Sequence, residues 1–550
     1  MLKNSFIELK GRERAIALLD NGSFREILGP FDQVESPHLA PQGIVPESDD
    51  GVIIAKGTFK GTPAVVLSIE GLFQGGGIGE VCGTKIAGSL EKALEDNKAG
   101  KKIIPIIIFD TGGVRLQEAN YGLLMISEIQ SAIVALRDYV PVIGLIPGNV
   151  GSFGGMSITA ALCSDLIMTE TARFGLNGPE VIEQEAGISE FNSRDRALIW
   201  NTIGGKARYE IGLVDQLVED DIMSFITAID TAVHREHTAP RTHQVDRFLS
   251  VANRLDMNGK ATKDKILELL NNEDYELPEF EDAKTISRGR TWFSAFTHNA
   301  ESISEYPTVL VADREFNGKQ TRFISVVPNA KNSFPRALHG EVGLQEGWVL
   351  AKYVREAIQE DVDKQEKRNI VAIIDVPSQA YGFNEELFGI HYACAASVDG
   401  YATARLRGHS VTGVIVGNAI SGAFLAHGLQ SSRLIALNDH SIKEQAMSKQ
   451  SAARNTKRTI AELEEATKKV PAMAYDIHNY YSLGALDVLV DVADADQPTA
   501  EDFQKVSEEL IKAIEANDFT LGRRLTTQPA VESGRKSSIL VRSKISEQWN

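Results

Sequence analysis

The chain carries one sequence pattern twice, and that repetition limits the folds open to it. In the first half an apolar run, Ile106-Ile107-Ile108-Phe109, ends in Asp110-Thr111-Gly112-Gly113, and a helix, a strand and the turn Gly148-Asn149-Val150-Gly151-Ser152-Phe153-Gly154-Gly155 follow. In the second half Val371-Ala372-Ile373-Ile374 ends in Asp375-Val376-Pro377-Ser378-Gln379 and leads to Gly417-Asn418-Ala419-Ile420-Ser421-Gly422-Ala423. The two aspartates lie 265 residues apart and the two Gly-Asn pairs 269 apart. Each copy puts small residues where a buried strand turns into a helix, a place where backbone N–H groups can face a ligand.

At 550 residues the chain exceeds one ordinary core, so two to three domains are expected. A net charge of −18 argues against sequence-independent nucleic-acid binding. The three cysteines, Cys82, Cys163 and Cys394, form no CxxC pair, which points away from a zinc ribbon or disulfide framework and towards a reducing compartment. The N-terminus has no secretory apolar core, and the apolar runs are strand-sized, so the reading is a soluble cytoplasmic protein that binds no membrane.

The periodicity predicts a helix over 11–30, a hairpin from Val52 to Ile69, and a helix following Gly75-Gly76-Gly77. It then predicts strand 103–109, helix 117–137, strand 140–146, a short helix from Phe153 and strand 165–168. The pattern restarts with a hairpin (307–312 and 321–327), helix 342–360, strand 369–375, helix 384–399, strand 411–416, a helix from Ser421 and strand 434–437. Strand–helix alternation after an opening hairpin implies a mainly parallel α/β sheet, twice. The expected divisions are a first domain over 1–235, a helix and exposed linker over 236–290, a second domain over 291–525 and a flexible tail over 526–550.

Glycine at a strand-to-helix turn serves tight packing or lets two N–H groups converge on a carbonyl that becomes an oxyanion. The turns follow successive strands and so fall at one sheet edge, which favours the second use for Gly112, Gly113, Gly154 and Gly155, and for Ser421, Gly422 and Ala423. Arg115 and Glu118 can pin a turn or hold a substrate carboxylate, and with Gln117, Ser152, Ser378 and Gln379 they are the candidate substrate-binding residues. Tyr381, His391 and His427 are candidate proton donors. Lys449, Arg454, Lys457 and Arg458 are the clearest basic cluster, a solvated helix face or a dock for an acidic carrier. Ser152 lacks the Gly-x-Ser-x-Gly context of a nucleophile, and neither a dinucleotide fingerprint, a Walker motif nor a metal-ligand spacing is present.

Thr111-Gly112-Gly113-Val114-Arg115-Leu116-Gln117-Glu118 and Gly175-Leu176-Asn177-Gly178-Pro179-Glu180-Val181-Ile182-Glu183-Gln184 resemble segments of acyl-CoA carboxyltransferase β-type subunits. The first half looks most like the β subunit of the biotin-independent malonate decarboxylases. The second resembles their γ subunit through Arg336-Ala337-Leu338-His339-Gly340-Glu341-Val342-Gly343-Leu344, Asp375-Val376-Pro377-Ser378-Gln379-Ala380-Tyr381-Gly382 and Ser421-Gly422-Ala423-Phe424-Leu425-Ala426-His427-Gly428. The resemblance implies two tandem crotonase-like (ClpP/crotonase) domains of the β-β-α spiral type, with the active site where they meet. It also implies decarboxylation of a malonyl thioester in backbone oxyanion holes, with no cofactor bound by the chain. The thioester would hang from the CoA-like phosphopantetheine arm of an acyl carrier protein subunit. An acetyl-S-ACP:malonate ACP-transferase subunit would be a further partner in an oligomer. Pro377-Ser378-Gln379-Ala380 departs from the Pro-Gly-Ala-Tyr-Pro-Gly type of turn expected to serve biotin. The alternatives are a biotin-dependent acyl-CoA carboxyltransferase or decarboxylase subunit, and a non-catalytic scaffold that binds an acyl carrier.

Overall fold

The computed structural model describes residues 4–236, 239–272, 275–446, 449–455 and 458–550. The chain forms two compact units, one of residues 1–240 with 537–550, the other of residues 241–536.

The first unit is built on a sheet of β1 (Arg25–Ile27), β2 (Val52–Phe59), β3 (Thr62–Ile69), β4 (Ile104–Ile108), β5 (Ile143–Ile146), β6 (Asp165–Thr169) and β7 (Gln216–Val218), in that order. β1–β3 run antiparallel and β3–β7 parallel. The second unit repeats the plan with β8 (Val309–Phe316), β9 (Lys319–Val326), β10 (Asn369–Val376), β11 (Val411–Ile420), β12 (Arg433–Leu437), β13 (Glu444–Gln445) and β14 (Val488–Val490). Its spatial order is β14-β12-β11-β10-β9-β8, with β13 beside β11. There β8 and β9 pair antiparallel, and the other paired strands run parallel.

Both opening hairpins close in the same way. Lys60 and Gly61 have φ of 45° and 80°, Asn317 and Gly318 φ of 49° and 74°. Two successive positive φ values make the two-residue turn whose twist matches that of the strands. The parallel strands that follow need crossovers, supplied in the first unit by helices Glu80–Lys98, Ala119–Leu136 and Gly154–Ala161. The second unit uses Leu344–Glu360, the pair Phe383–Phe388 and Ile390–Leu406, and Ser421–Ala426. The expected single helix over 384–399 is broken by Gly389 at φ 84°, a conformation that ends one helix and starts the next.

One face of the first sheet packs Ile53, Val66, Ile106 and Leu145 against Phe6, Leu18, Phe225 and Ile229. The segment Leu116–Leu136 is long and apolar enough, by length and composition, to cross a membrane, and it is buried within the unit.

Three expectations are corrected. The helix predicted over 11–30 stops at Leu18, and Arg25–Ile27 is an edge strand on β2. Residues 236–290, expected as a helix and an exposed linker, hold more packed structure than that: helix Val245–Ala252 packs on Leu344–Glu360, with Phe248 stacked on Trp348 at 4.9 Å and Gln345 donating to Asn253. The chain's end is not a loose tail. Helix Lys536–Gln548 buries Val541 and Ile545, and a Cβ on Gly88 would touch Ile545 at 3.1 Å. Arg542 pairs with Glu91 and Glu128, and the buried Trp549 donates to Asp96.

These corrections yield a prediction. A cut near Pro278 leaves residues 241–278, part of the second unit, on the N-terminal fragment, and residues 537–550, part of the first unit, on the C-terminal fragment. Each fragment therefore holds a piece of the other's core, and the two are expected to co-elute on a sizing column. Deleting 537–550 is expected to lower the melting temperature of the first unit, because the face of Glu80–Lys98 around Gly88 loses its cover.

Candidate functional site

The repeated aspartates clamp one turn to the next. Asp110, at the end of β4, takes the Arg14 guanidinium at 2.8 Å on one oxygen and the Val150 N–H at 2.7 Å on the other. Asp375, at the end of β10, accepts the Asn418 N–H at 3.1 Å and the Gly289 N–H at 3.3 Å. In both units the strand-end carboxylate therefore accepts a backbone N–H from the neighbouring strand's far end, Val150 just after β5 and Asn418 near the end of β11.

Backbone bonding separates the four glycines expected to stabilise an oxyanion. Gly112 donates to the Gly75 carbonyl at 2.8 Å, Gly113 to the Thr111 hydroxyl at 3.0 Å, and Gly154 to the Leu176 carbonyl at 2.9 Å. Those three N–H groups are spent inside the protein. Gly155, in the first turn of Gly154–Ala161, has no acceptor among the described residues, and neither do Met156 and Val114. Val114 is the donor that sequence reading passed over, because no side-chain pattern distinguishes a free amide.

The two turns touch. A Cβ on Gly113 would lie 2.9 Å from the Phe153 carbonyl and 3.0 Å from the Gly154 Cα, and one on Gly154 would lie 3.9 Å from the Val114 nitrogen. Gly113 and Gly154 sit at φ 102° and 55°. The glycine run 75–77 has a packing role here, since a Cβ on Gly76 would fall 2.0 Å from the Asp110 carbonyl. Open N–H groups from a loop and a helix N-terminus, on contacting turns, are donors of the kind that can stabilise an oxygen gaining charge.

The first unit's other candidates hold this frame. Arg115 is buried and donates to Asp50 and Glu118, each at 2.7 Å. Glu118 also accepts the Glu80 N–H. The guanidinium is thus committed to an internal pair and does not await a substrate carboxylate. Burial drives the Asp50 carboxyl upward against the pull of Arg115. The Gln117 carbonyl accepts from Gln42. Ser152 bridges Thr111 and Phe174, and its buried hydroxyl has no partner among the described residues.

In the second unit Val342 pairs with Gln379 as Ile78 pairs with Val114. Ser421 opens its helix at φ 60°, in the place of Gly154. Gly422 then corresponds to Gly155, but its N–H donates to the Gln379 carboxamide at 3.1 Å. The Ala423 N–H has no acceptor among the described residues. The Ser378 carbonyl accepts from Val342. The half-buried Tyr381 takes a long hydrogen bond, 3.4 Å, from the Gln379 amide nitrogen. His391 is fully buried against Tyr392.

His427 is a core residue. One ring nitrogen lies 3.0 Å from the Tyr401 hydroxyl and the other 3.0 Å from the Ile373 carbonyl, so neither is left to serve as an acid. Burial pushes its pKa down to about 4. Between about pH 6.5 and about pH 4 the unfolded chain binds a proton that the folded one refuses. Stability of the second unit is therefore expected to fall as pH drops through that window, by about 3 kcal/mol in full. Calorimetry across the window should show this slope in the wild type and lose it in His427→Gln.

Of the basic cluster, Lys449 pairs with Glu464 at 3.0 Å and lies over the Tyr475 ring, while Arg454 is exposed. Arg458 is half-buried. Lys457 lies outside the described residues.

Comparison with known proteins matches residues 8–255 to the carboxyl transferase domain and residues 337–549 to the malonate decarboxylase gamma subunit. Malonyl-S-ACP:biotin-protein carboxyltransferase MADC of Malonomonas rubra is 46% identical over 231 residues, covering 40% of this chain and 73% of the relative. MADD of the same organism is 34% identical over 192 residues, covering 34% of this chain and 66% of the relative. A chain of a Pseudomonas malonate decarboxylase hetero-tetramer, solved with malonate, is 50% identical, with a TM-score of 0.48, and covers 49% of this chain and 98% of that one. The gamma-subunit match ends inside the helix and tail that pack in the first unit. The chain belongs to the carboxyltransferase family of malonate decarboxylase components, with β-type and γ-type segments joined in one polypeptide.

Proposed function

We propose that this chain is the decarboxylating component of a malonate decarboxylase, converting malonyl-S-acyl carrier protein to acetyl-S-acyl carrier protein and CO2. The observation that carries this reading is the pair of open N–H groups, Val114 and Gly155, on contacting turns in the first unit. A malonyl thioester already holds its electron sink. When its carbonyl oxygen accepts from those two groups, the electrons of the breaking C–C bond move onto that oxygen and CO2 departs. The enolate carbon then takes a proton and the acetyl thioester results. Of the three acids named from sequence, Tyr381 is the one the fold leaves part-exposed.

The substrate arm is the CoA-like phosphopantetheine of a carrier subunit, and a second subunit transfers that carrier from acetyl to malonate. A hetero-oligomer follows from this division of labour, with Arg454 and Arg458 as carrier contacts. We place the enzyme in the cytoplasm, where Cys82, Cys163 and Cys394, all buried, stay reduced.

A second reading has its own support, because the MADC and MADD relatives are named as biotin-protein carboxyltransferases. The carboxyl group would then pass to biotin. Product analysis in the presence of excess avidin separates the two. Undiminished acetyl thioester formation supports the first reading, and abolished turnover supports the second.

A further inference from the structure

The second unit contains the counterpart of the open Gly155 N–H, and the chain fills it with its own side chain. Val114 and Gln379 hold equivalent places: Ile78 donates to the Gly113 carbonyl and accepts from Arg115, and Val342 donates to the Ser378 carbonyl and accepts from Ala380. Gly154 and Ser421 hold equivalent places at φ 55° and 60°, although only the first is a glycine. A serine in the left-handed region is costly, and a backbone kept there marks a turn whose shape matters. Val114 offers a hydrocarbon side chain, so the Gly155 N–H stays open. Gln379 instead turns its carboxamide oxygen onto the Gly422 N–H at 3.1 Å, while its amide nitrogen reaches the Tyr381 hydroxyl at 3.4 Å. Gln379 is 6% exposed as a residue, so the plug is buried and not a surface contact.

A carboxamide is a planar carbonyl with an N–H beside it, the same donor and acceptor edge that a cyclic urea or amide presents. We propose that Gln379 is a specificity residue, a built-in occupant of a second carbonyl-oxygen site that keeps ureido-type carboxyl acceptors out of the second unit. This rests on the reading above, in which the carboxyl group leaves as CO2. With the plug removed, the Gly422 and Ala423 N–H groups can take a ureido oxygen.

The test compares the full chain with Gln379→Val, which copies the first unit, and with Gln379→Ala in case the first variant does not fold. The probe is 2-imidazolidone, with binding followed by ligand-observed NMR. The variant should bind it at least about tenfold more tightly than the wild type, because the probe no longer competes with an internal hydrogen bond. Equal probe affinity in wild type and folded variants would overturn the assignment. Failure of the underlying reading looks different: the wild type itself would bind the probe and release no CO2 without biotin.

Discussion

Gly113→Ala is expected to lower the turnover number for malonyl thioester by about 10²–10³-fold, with little change in KM. The reason is local. The added Cβ would sit 2.9 Å from the Phe153 carbonyl and 3.0 Å from the Gly154 Cα, closer than side-chain carbons approach backbone. The φ of 102° adds strain that any L-residue other than glycine feels. The two turns must part, and the Val114 and Gly155 N–H groups move out of register with one oxygen. Misplacement of this kind costs the transition state more than the ground state. Gly22→Ala is the control, because Gly22 has φ 79° and nothing within 4 Å of its Cβ. It should show the backbone cost in its melting temperature and keep its turnover. Unchanged turnover in a folded Gly113→Ala protein would refute the paired-turn account.

The largest stability effect is expected at Arg115. Its guanidinium is 1% exposed, and the Asp50 and Glu118 carboxylates it joins are fully buried. Arg115→Met leaves two carboxylates in a dry pocket without a counter-charge. Breaking a buried pair from one side costs about 3–5 kcal/mol. The first unit's transition in calorimetry should drop accordingly, while the transition of the second stays in place. Adding Asp50→Asn and Glu118→Gln should recover most of the loss, since the penalty comes from the stranded charges. If the single variant melts like the wild type, the network carries no such load.

These two positions show what the sequence could and could not say. The tandem α/β plan was legible because buried parallel strands are apolar runs and their crossovers repeat every 3.6 residues. Asp110 and Asp375 stood out for a sound reason, since each accepts a backbone N–H from the end of the neighbouring strand or the residues just after it. Gly112, Gly113 and Gly154 were legible as site residues but not as donors, because where an amide points is decided by backbone partners that residue type does not encode. Val114 was invisible for the same reason. His427 and Arg115 have functional residue types, and only their surroundings show them to be a neutral core group and an internal counter-ion. The chain's end reads as polar, yet Val541, Ile545 and Trp549 are buried there, and Gly88 leaves room for Ile545. The edge strand Arg25–Ile27 is too short to declare a period of two.

The most direct test is the release of labelled CO2 from malonyl-S-carrier protein by the purified chain, with biotin absent and avidin present. CO2 released in step with acetyl thioester, and lost in Gly113→Ala, is the result expected from an oxyanion site at Val114 and Gly155. No release until biotin is supplied, followed by carboxyl transfer to it, would contradict that account.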